Sequence, residues 1–572
     1  MSKSAVELRS AEWFGRKDMT GFANRSWTRA GLGFSDRQFD GRPVIGIANS
    51  ASDLTTCNTH LRFVADAVKR GILGAGGVPM EFPTISLGEI LMKPTTMLYR
   101  NLMAMDVEEC IRAYPLDAVV LLSGCDKTTP AMLMGAASAD VPAIVFPVGP
   151  MLSGHWRGRQ LGSGTDVFRL GAESFLGLLS EDDLADAEHA MNRSPGTCMV
   201  MGTASTMACM AEALGMSLGQ SGSIPAVDSR RMALAEDAGR RAVELAAQGG
   251  PRPSEILTEN AFDNAIRALM AIGGSTNAVI HLIALAGRVG VSLPLHRFEE
   301  LSRTTPLLLD VEPSGSALME DFHYAGGLPA VLKELLPLLH RDAITVAGTT
   351  IGAAVSTARI HDEKVIRPLA NPLAERGGMT FLTGNLCPGG AVLKVSAATT
   401  ALLRHRGPAV VFENAEEMWA RCLDQDAEFD PDCVLVLRGG GPQGAPGMPE
   451  WGLPIIPVSL LKQGVADVVR ITDARMSGTS FGTTVLHITP ESAIGGPLAL
   501  VQDGDIIELD AAEGQLNMLV APAELDRRRR LLPPPPQHFE RGYGAMFMAH
   551  ILQADQGCDF DFLRGSSPVG KA

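Results

Sequence analysis

The chain of 572 residues is poor in aromatic side chains (5%), and it has no uncharged apolar stretch near the roughly 18 residues that a helical membrane span requires. That absence argues against a helical membrane protein. The N-terminus, Met1 to Glu7, shows no apolar signal core, so the expected location is the cytoplasm. Positive charge is also scarce: 49 Lys and Arg against 64 Asp and Glu leave a net charge of −15, which argues against a nucleic-acid partner. The one basic run, Arg527–Arg530, leads into Pro533–Pro536 and reads as a solvated helix end before a stiff connector. No Cys-x-x-Cys pair occurs, and no Gly-x-Gly-x-x-Gly follows the first predicted strand. The first absence disfavours a non-catalytic iron–sulfur redox protein with closely spaced ligands. The second disfavours a dinucleotide-dependent oxidoreductase.

What is present is abundant core material, 46% apolar residues, together with 61 Gly and 26 Met. This length exceeds one core. From residue 43 the pattern alternates. Strands are predicted at 43–48, 80–82, 117–122 and 143–146, with helices at 59–73, 95–113 and 131–139 between them. A βαβαβαβ order implies a parallel sheet with helices on both faces. A further helix begins at Asp228, a suitable cap, and stops at Gly249-Gly250-Pro251. Beyond about residue 370 short β-rich pieces take over, at 409–412, 433–437, 468–471 and 505–509, and suggest a barrel or sandwich. The reading is α/β: an N-terminal α/β domain over 1–369 and a C-terminal β domain over 370–572.

Three of the nine cysteines lie in loops: Cys57, Cys125 and Cys198. Cys57 follows the first strand, Glu89 the second and Cys125-Asp126-Lys127 the third. In a parallel sheet all such loops emerge at the carboxyl edge, where ligands bind. Three thiolates fall one short of a closed zinc site or a fully protein-ligated iron–sulfur cluster, which leaves one metal position for substrate. Glu89 and Asp126 offer hard oxygen ligands of the kind Mg²⁺ prefers. On residue type alone a single loop cysteine is more often an ordinary thiol and Glu89 more often a surface charge, and it is the three cysteines together that bring the ligand reading level. Lys127 could bind a phosphate or a carboxylate, and Gly439-Gly440-Gly441-Pro442 could cradle a carboxylate or merely turn.

Five motifs carry a resemblance: Gly124-Cys125-Asp126-Lys127-Thr128-Thr129-Pro130, the Cys57-Asn58 loop, Gly202 to Met207, Gly273-Gly274-Ser275-Thr276-Asn277, and Asp473 to Thr479. Together they make the chain, from about residue 8 to about 565, similar to the dihydroxy-acid and 6-phosphogluconate dehydratase superfamily. Within it the wording Cys-Asp-Lys-Thr-Thr-Pro and Arg-Met-Ser-Gly-Thr resembles the sugar-acid branch, while Ser50 to Thr56 departs from the commoner loop. The resemblance implies an N-terminal three-layer α/β domain, a C-terminal β-barrel, and an active site at a dimer interface in a homodimer or dimer of dimers. It implies a [2Fe–2S] cluster, in some members [4Fe–4S], on Cys57, Cys125 and Cys198. It implies Mg²⁺ on Glu89, Asp126, carbamylated Lys127 and Glu450, with Ser477 as base and Thr479 and Thr165 near substrate. The implied reaction is dehydration of a 2,3-dihydroxy acid such as L-arabinonate or D-xylonate to a 2-keto-3-deoxy acid. The alternative is the branched-chain enzyme acting on 2,3-dihydroxyisovalerate, with overlap between the two substrate classes.

Overall fold

The computed structural model describes residues 7–175, 177–452 and 455–565; residues 1–6, expected to lack a signal core, lie outside the described residues. The first four strands form where the apolar runs predict them: β1 (Val44–Asn49), β2 (Val78–Pro83), β3 (Ala118–Ser123) and β4 (Ala143–Pro147). They make one fully parallel sheet of order β2-β1-β3-β4. Every residue of β1, β3 and β4 is buried, whereas edge strand β2 is partly exposed. Continuous apolar strands suit a parallel sheet covered on both faces. The chain steps from β1 out to β2 and then back past β1 to β3. Right-handed crossovers therefore place the Leu61–Gly74 helix on one face and the Arg100–Ala113 helix on the other. The first packs with the Ser229–Gln248 helix and the second with the Thr128–Ala139 helix, completing three layers. Asp228 does cap its helix, accepting from the Arg230 N–H, and Gly249 ends it in the left-handed region.

A hairpin of β5 (Gly154–Trp156) and β6 (Arg159–Leu161) and two short helices form a small separate cluster around Trp156, Leu170 and Met191. The second large sheet has eight strands. β7 (Thr380–Leu382), β8 (Gly390–Leu393), β12 (Thr484–Thr489) and β14 (Gln515–Met518) join the predicted β9 (Arg404–Phe412), β10 (Val434–Leu437), β11 (Val469–Thr472) and β13 (Ile506–Asp510). Their order is β14-β13-β9-β10-β11-β12-β8-β7, with β9 to β12 mutually parallel and the outer pairs antiparallel. A bridge from Thr383 to Gln515 links the two edges, so the sheet is nearly closed into a barrel around Val436, Ile471, Val485 and Leu509. Among the described residues no helix is long and apolar enough to cross a membrane.

The contact between the Leu61–Gly74 and Ser229–Gln248 helices depends on two glycines. A Cβ on Gly71 would stand 1.9 Å from the Glu236 carbonyl oxygen, and one on Gly239 2.2 Å from that of Val68. Gly71→Ala should therefore force the helices apart and cost about 1–3 kcal/mol. Gly74→Ala, three residues on with nothing within 4 Å, should leave stability nearly unchanged. Thermal unfolding of the two variants checks this, and equal midpoints would contradict the packing.

Candidate active site

Both sheets deliver their functional loops at carboxyl ends. Cys57 lies in the turn after β1, and Cys125 follows β3. These loops flank the point where the strand order reverses, a natural ligand crevice. Cys125 has φ +65°, in the left-handed region that a side chain rarely adopts. Such strain is a local cost sustained by the surrounding structure. In the second domain the loop after β10 carries Glu450 and the loop after the adjacent strand β11 carries Ser477 and Thr479.

The two sets of loops enclose a cavity of about 480 Å³. Its lining includes the three thiols Cys57, Cys125 and Cys198, the carboxylates Glu89, Asp126 and Glu450, and the hydroxyls Ser477 and Thr479. Ile90, Val167, Met151 and Met191 form an apolar rim. A second cavity of about 540 Å³, behind the Glu450 loop and against Pro533, Pro534 and Pro536, contains none of these groups.

Lys127 is fully buried at the meeting point of the acids. Its Nζ lies 3.2 Å from Glu89, 3.4 Å from Asp126 and 3.2 Å from Glu450. Burial opposes its charge, but Glu450 and Glu89 outweigh that and raise it above the usual lysine range. Addition of CO₂ needs a neutral amine. The arrangement here instead holds an ammonium, because it serves as counter-charge to three carboxylates. Burial pushes Asp126 up to about 6. Glu450 feels the same burial, yet Lys127 and Arg475 hold it down at about 2. Three donors crowd onto Glu450 Oε1: Lys127 Nζ, Asn277 Nδ2 at 2.8 Å and Arg475 Nη1 at 2.8 Å. Glu89 accepts from Thr95 Oγ1 at 3.2 Å and from Thr96 Oγ1.

Arg475 and Asn277 belong to motifs quoted above, but the sequence reading gave neither a role. Arg475, with no exposed surface, donates to the Met448 carbonyl at 2.7 Å and to Thr95 Oγ1 at 3.2 Å, and so ties three loops together. Asn277 Nδ2 also reaches Thr203 Oγ1 (3.0 Å) and the Met476 carbonyl (3.3 Å). The burial of Arg475, which calls for fixed acceptors, is seen only in the fold.

Ser477 Oγ and Thr479 Oγ1 are 3.0 Å apart. Gly478 between them packs so closely that a Cβ would sit 2.6 Å from Thr203 N and 2.7 Å from Ser275 Oγ. Thr165, expected near substrate, gives its hydroxyl hydrogen to the Thr479 carbonyl at 2.9 Å and so steadies the turn. The Gly439–Pro442 loop does lead into a carboxylate cradle, but for a side chain of the protein itself. Glu491 accepts from the N–H groups of Gln443 (3.0 Å) and Gly444 (2.8 Å).

The donor chemistry fits the implied metals. Three carboxylates surround one cationic point, and three thiols share one wall. Two of them are held toward the protonated form: a hydrogen bond to Cys125 and burial raise Cys57, and burial pushes Cys198 up to about 12. Among the described residues no three Cys, His, Asp or Glu side chains already form a metal-holding group. Lys127 itself fills the centre of the acids. Binding of a cation would expel its proton and those of the thiols.

Lys127→Met should leave the three carboxylates facing one another with only Arg475 nearby. Loss of one partner from a buried ionic cluster costs about 3–5 kcal/mol. Without the ammonium the folded-state carboxylate pKa values rise above their unfolded ones, so stability is present at low pH and lost as pH increases. In chelator-treated protein the deficit against wild type should be larger at pH 8 than at pH 5. An equal deficit at both would mean that Lys127 is not the counter-charge.

Sequence comparison identifies the family. The model described as dihydroxy-acid/6-phosphogluconate dehydratase N-terminal matches residues 42–354, and the corresponding C-terminal model matches 364–558. The chain is 54% identical to an L-arabonate dehydratase of Azospirillum brasilense, over 99% of this chain and 98% of that protein. It is 49% identical to an L-arabinonate dehydratase of Rhizobium leguminosarum bv. trifolii, with the same coverage. A dihydroxy-acid dehydratase of Moorella thermoacetica is 40% identical over 93% of this chain and 97% of its own length. The chain thus belongs to the dihydroxy-acid/6-phosphogluconate dehydratase family and is a hydro-lyase.

Proposed function

We propose that this enzyme dehydrates a straight-chain sugar acid of the L-arabinonate type to the 2-keto-3-deoxy acid. The observation that carries the reading is one cavity in which three thiols, three carboxylates around a lysine, and a Ser–Thr hydroxyl pair meet. The two relatives of about half identity named for L-arabonate and L-arabinonate support the substrate class.

In this reading Cys57, Cys125 and Cys198 hold an iron–sulfur cluster, [2Fe–2S] in the simplest case, with one position open. Glu89, Asp126 and Glu450 hold Mg²⁺, joined by Lys127 once it has lost its proton and become a carbamate. When bound, these groups supply Lewis acidity, stabilising negative charge on the substrate carboxylate and C2 oxygen and easing departure of the C3 oxygen. The protein's own groups do the rest. Ser477 removes the C2 proton as an alkoxide, a form that needs nearby cations to be accessible. Thr479 Oγ1, 3.0 Å away, can donate to that alkoxide. Thr165 and the tightly packed Gly478 keep the pair oriented. The apolar rim of Ile90, Val167 and Met191 limits water around the developing charge.

Anaerobically purified protein with Mg²⁺ should form 2-keto acid from L-arabinonate or D-xylonate faster than from 2,3-dihydroxyisovalerate. Turnover of the branched acid alone would favour the branched-chain reading. Ser477→Ala should keep the visible cluster absorbance and lose about 10²–10⁴ in rate. Cys125→Ser should lose absorbance and activity together, and an intact cluster in that variant would remove the thiol assignment.

A further inference from the structure

The barrel presents a second polar group to the domain interface, outside the cavity. Leu393, Val469, Ile471 and Val485 lie in the barrel core. Strand alternation therefore turns Lys394, Arg470 and Thr484 the other way. Their same-face neighbours Val392 and Leu486 pack into the N-terminal core, so this face looks toward the first domain. Arg470 pairs with Thr484 across β11 and β12. One step beyond the Val485–Leu393 pair, the register between β12 and β8 brings Lys394 opposite Thr484. The three form a row across adjacent strands, at 3%, 1% and 2% exposure for Arg470, Thr484 and Lys394.

This row holds two basic side chains, and the carboxylate that pairs with it among the described residues, Asp467, is fully engaged. Asp467 pairs with Arg470 and accepts from Thr399 Oγ1 at 2.7 Å and from Thr483 N and Oγ1, both at 2.9 Å. Lys394 Nζ has no hydrogen-bond partner among the described residues, and neither have Thr484 Oγ1 and Ser480 Oγ, all of them buried. Burial alone, with no carboxylate to offset it, pulls Lys394 down to about 7. Buried donors without acceptors are costly, and a buried ammonium without a counter-charge more so. Lys394 and Thr484 lack acceptors for an amine and a hydroxyl, and a charged Lys394 would lack a counter-charge. Carboxylate side chains cannot supply it, since Asp467 is committed.

We infer that Lys394 and Thr484 form a site for one small monovalent anion, of chloride or formate size, on the barrel face turned toward the first sheet, at the strand that follows the Ser477 loop. Ser480 N–H donates to the Ser477 carbonyl at 3.1 Å, and Thr484 is the residue on which that loop lands in β12. An anion there would fasten the end of the loop to Lys394 after β8. The site is independent of which acid the enzyme dehydrates.

Thermal unfolding of the full-length holoenzyme tests it, with sodium chloride and sodium formate titrated against sodium methanesulfonate at constant ionic strength. The small anions should raise the midpoint saturably, as a ligand bound only to the folded state does. The rise should vanish in Lys394→Met, and its half-saturation should move to higher concentration in Thr484→Val. No rise specific to small anions, or an equal rise in Lys394→Met, would overturn the site. If Lys394→Met does not fold, an unchanged half-saturation in Thr484→Val would overturn it as well.

Discussion

The contact on which the site depends is the buried Lys127 ammonium among Glu89, Asp126 and Glu450, at 3.2–3.4 Å from each. Glu89 and Asp126 follow strands of the first sheet and Glu450 follows a strand of the second, so the same ion cluster links loops of both sheets. Three part-buried carboxylates this close would repel one another without a cation at their centre. Arg475 and Asn277 strengthen the arrangement by loading Glu450 Oε1 with two further donors. A divalent ion would serve the same electrostatic need better than an ammonium, and Lys127 must give up its proton before it can act as an anionic ligand.

Topology explains how groups so distant in sequence meet. Parallel strands send every following loop to one edge, and the four central strands of the barrel obey the same rule as the first sheet. Two carboxyl edges facing each other give a cavity lined by thiols, carboxylates and the Ser477 turn. Around that turn the packing is tight. Gly478 and Arg475 show how little space remains around the turn.

Much of this was legible in the sequence. Strands β1, β3 and β4 are uninterrupted apolar runs, and Cys125-Asp126-Lys127 stands at a predicted strand end with residue types that no core would choose. The short strands β7 and β8 escaped notice because three or four residues beside glycines carry no clear period, and β12 because Thr484 and His487 break its apolar run. The partners of Glu450 were invisible for another reason: Asn277 and Arg475 are 173 residues before it and 25 after it, and only the fold brings them together. The glycine loop at 439–442 could be read as a cradle or as a turn. It proved to lead into a cradle for Glu491, which lies 47 residues beyond Gly444 and is linked to it only through the sheet.

The most direct test of the account follows the hydrogen atoms. Holoenzyme incubated with L-arabinonate in D₂O should yield a 2-keto-3-deoxy acid with a single deuterium at C3, seen by NMR, because the C2 proton is lost and the enol is protonated from solvent. Absence of any keto acid, or a product with hydrogen transferred from C2 and no deuterium at C3, would contradict it.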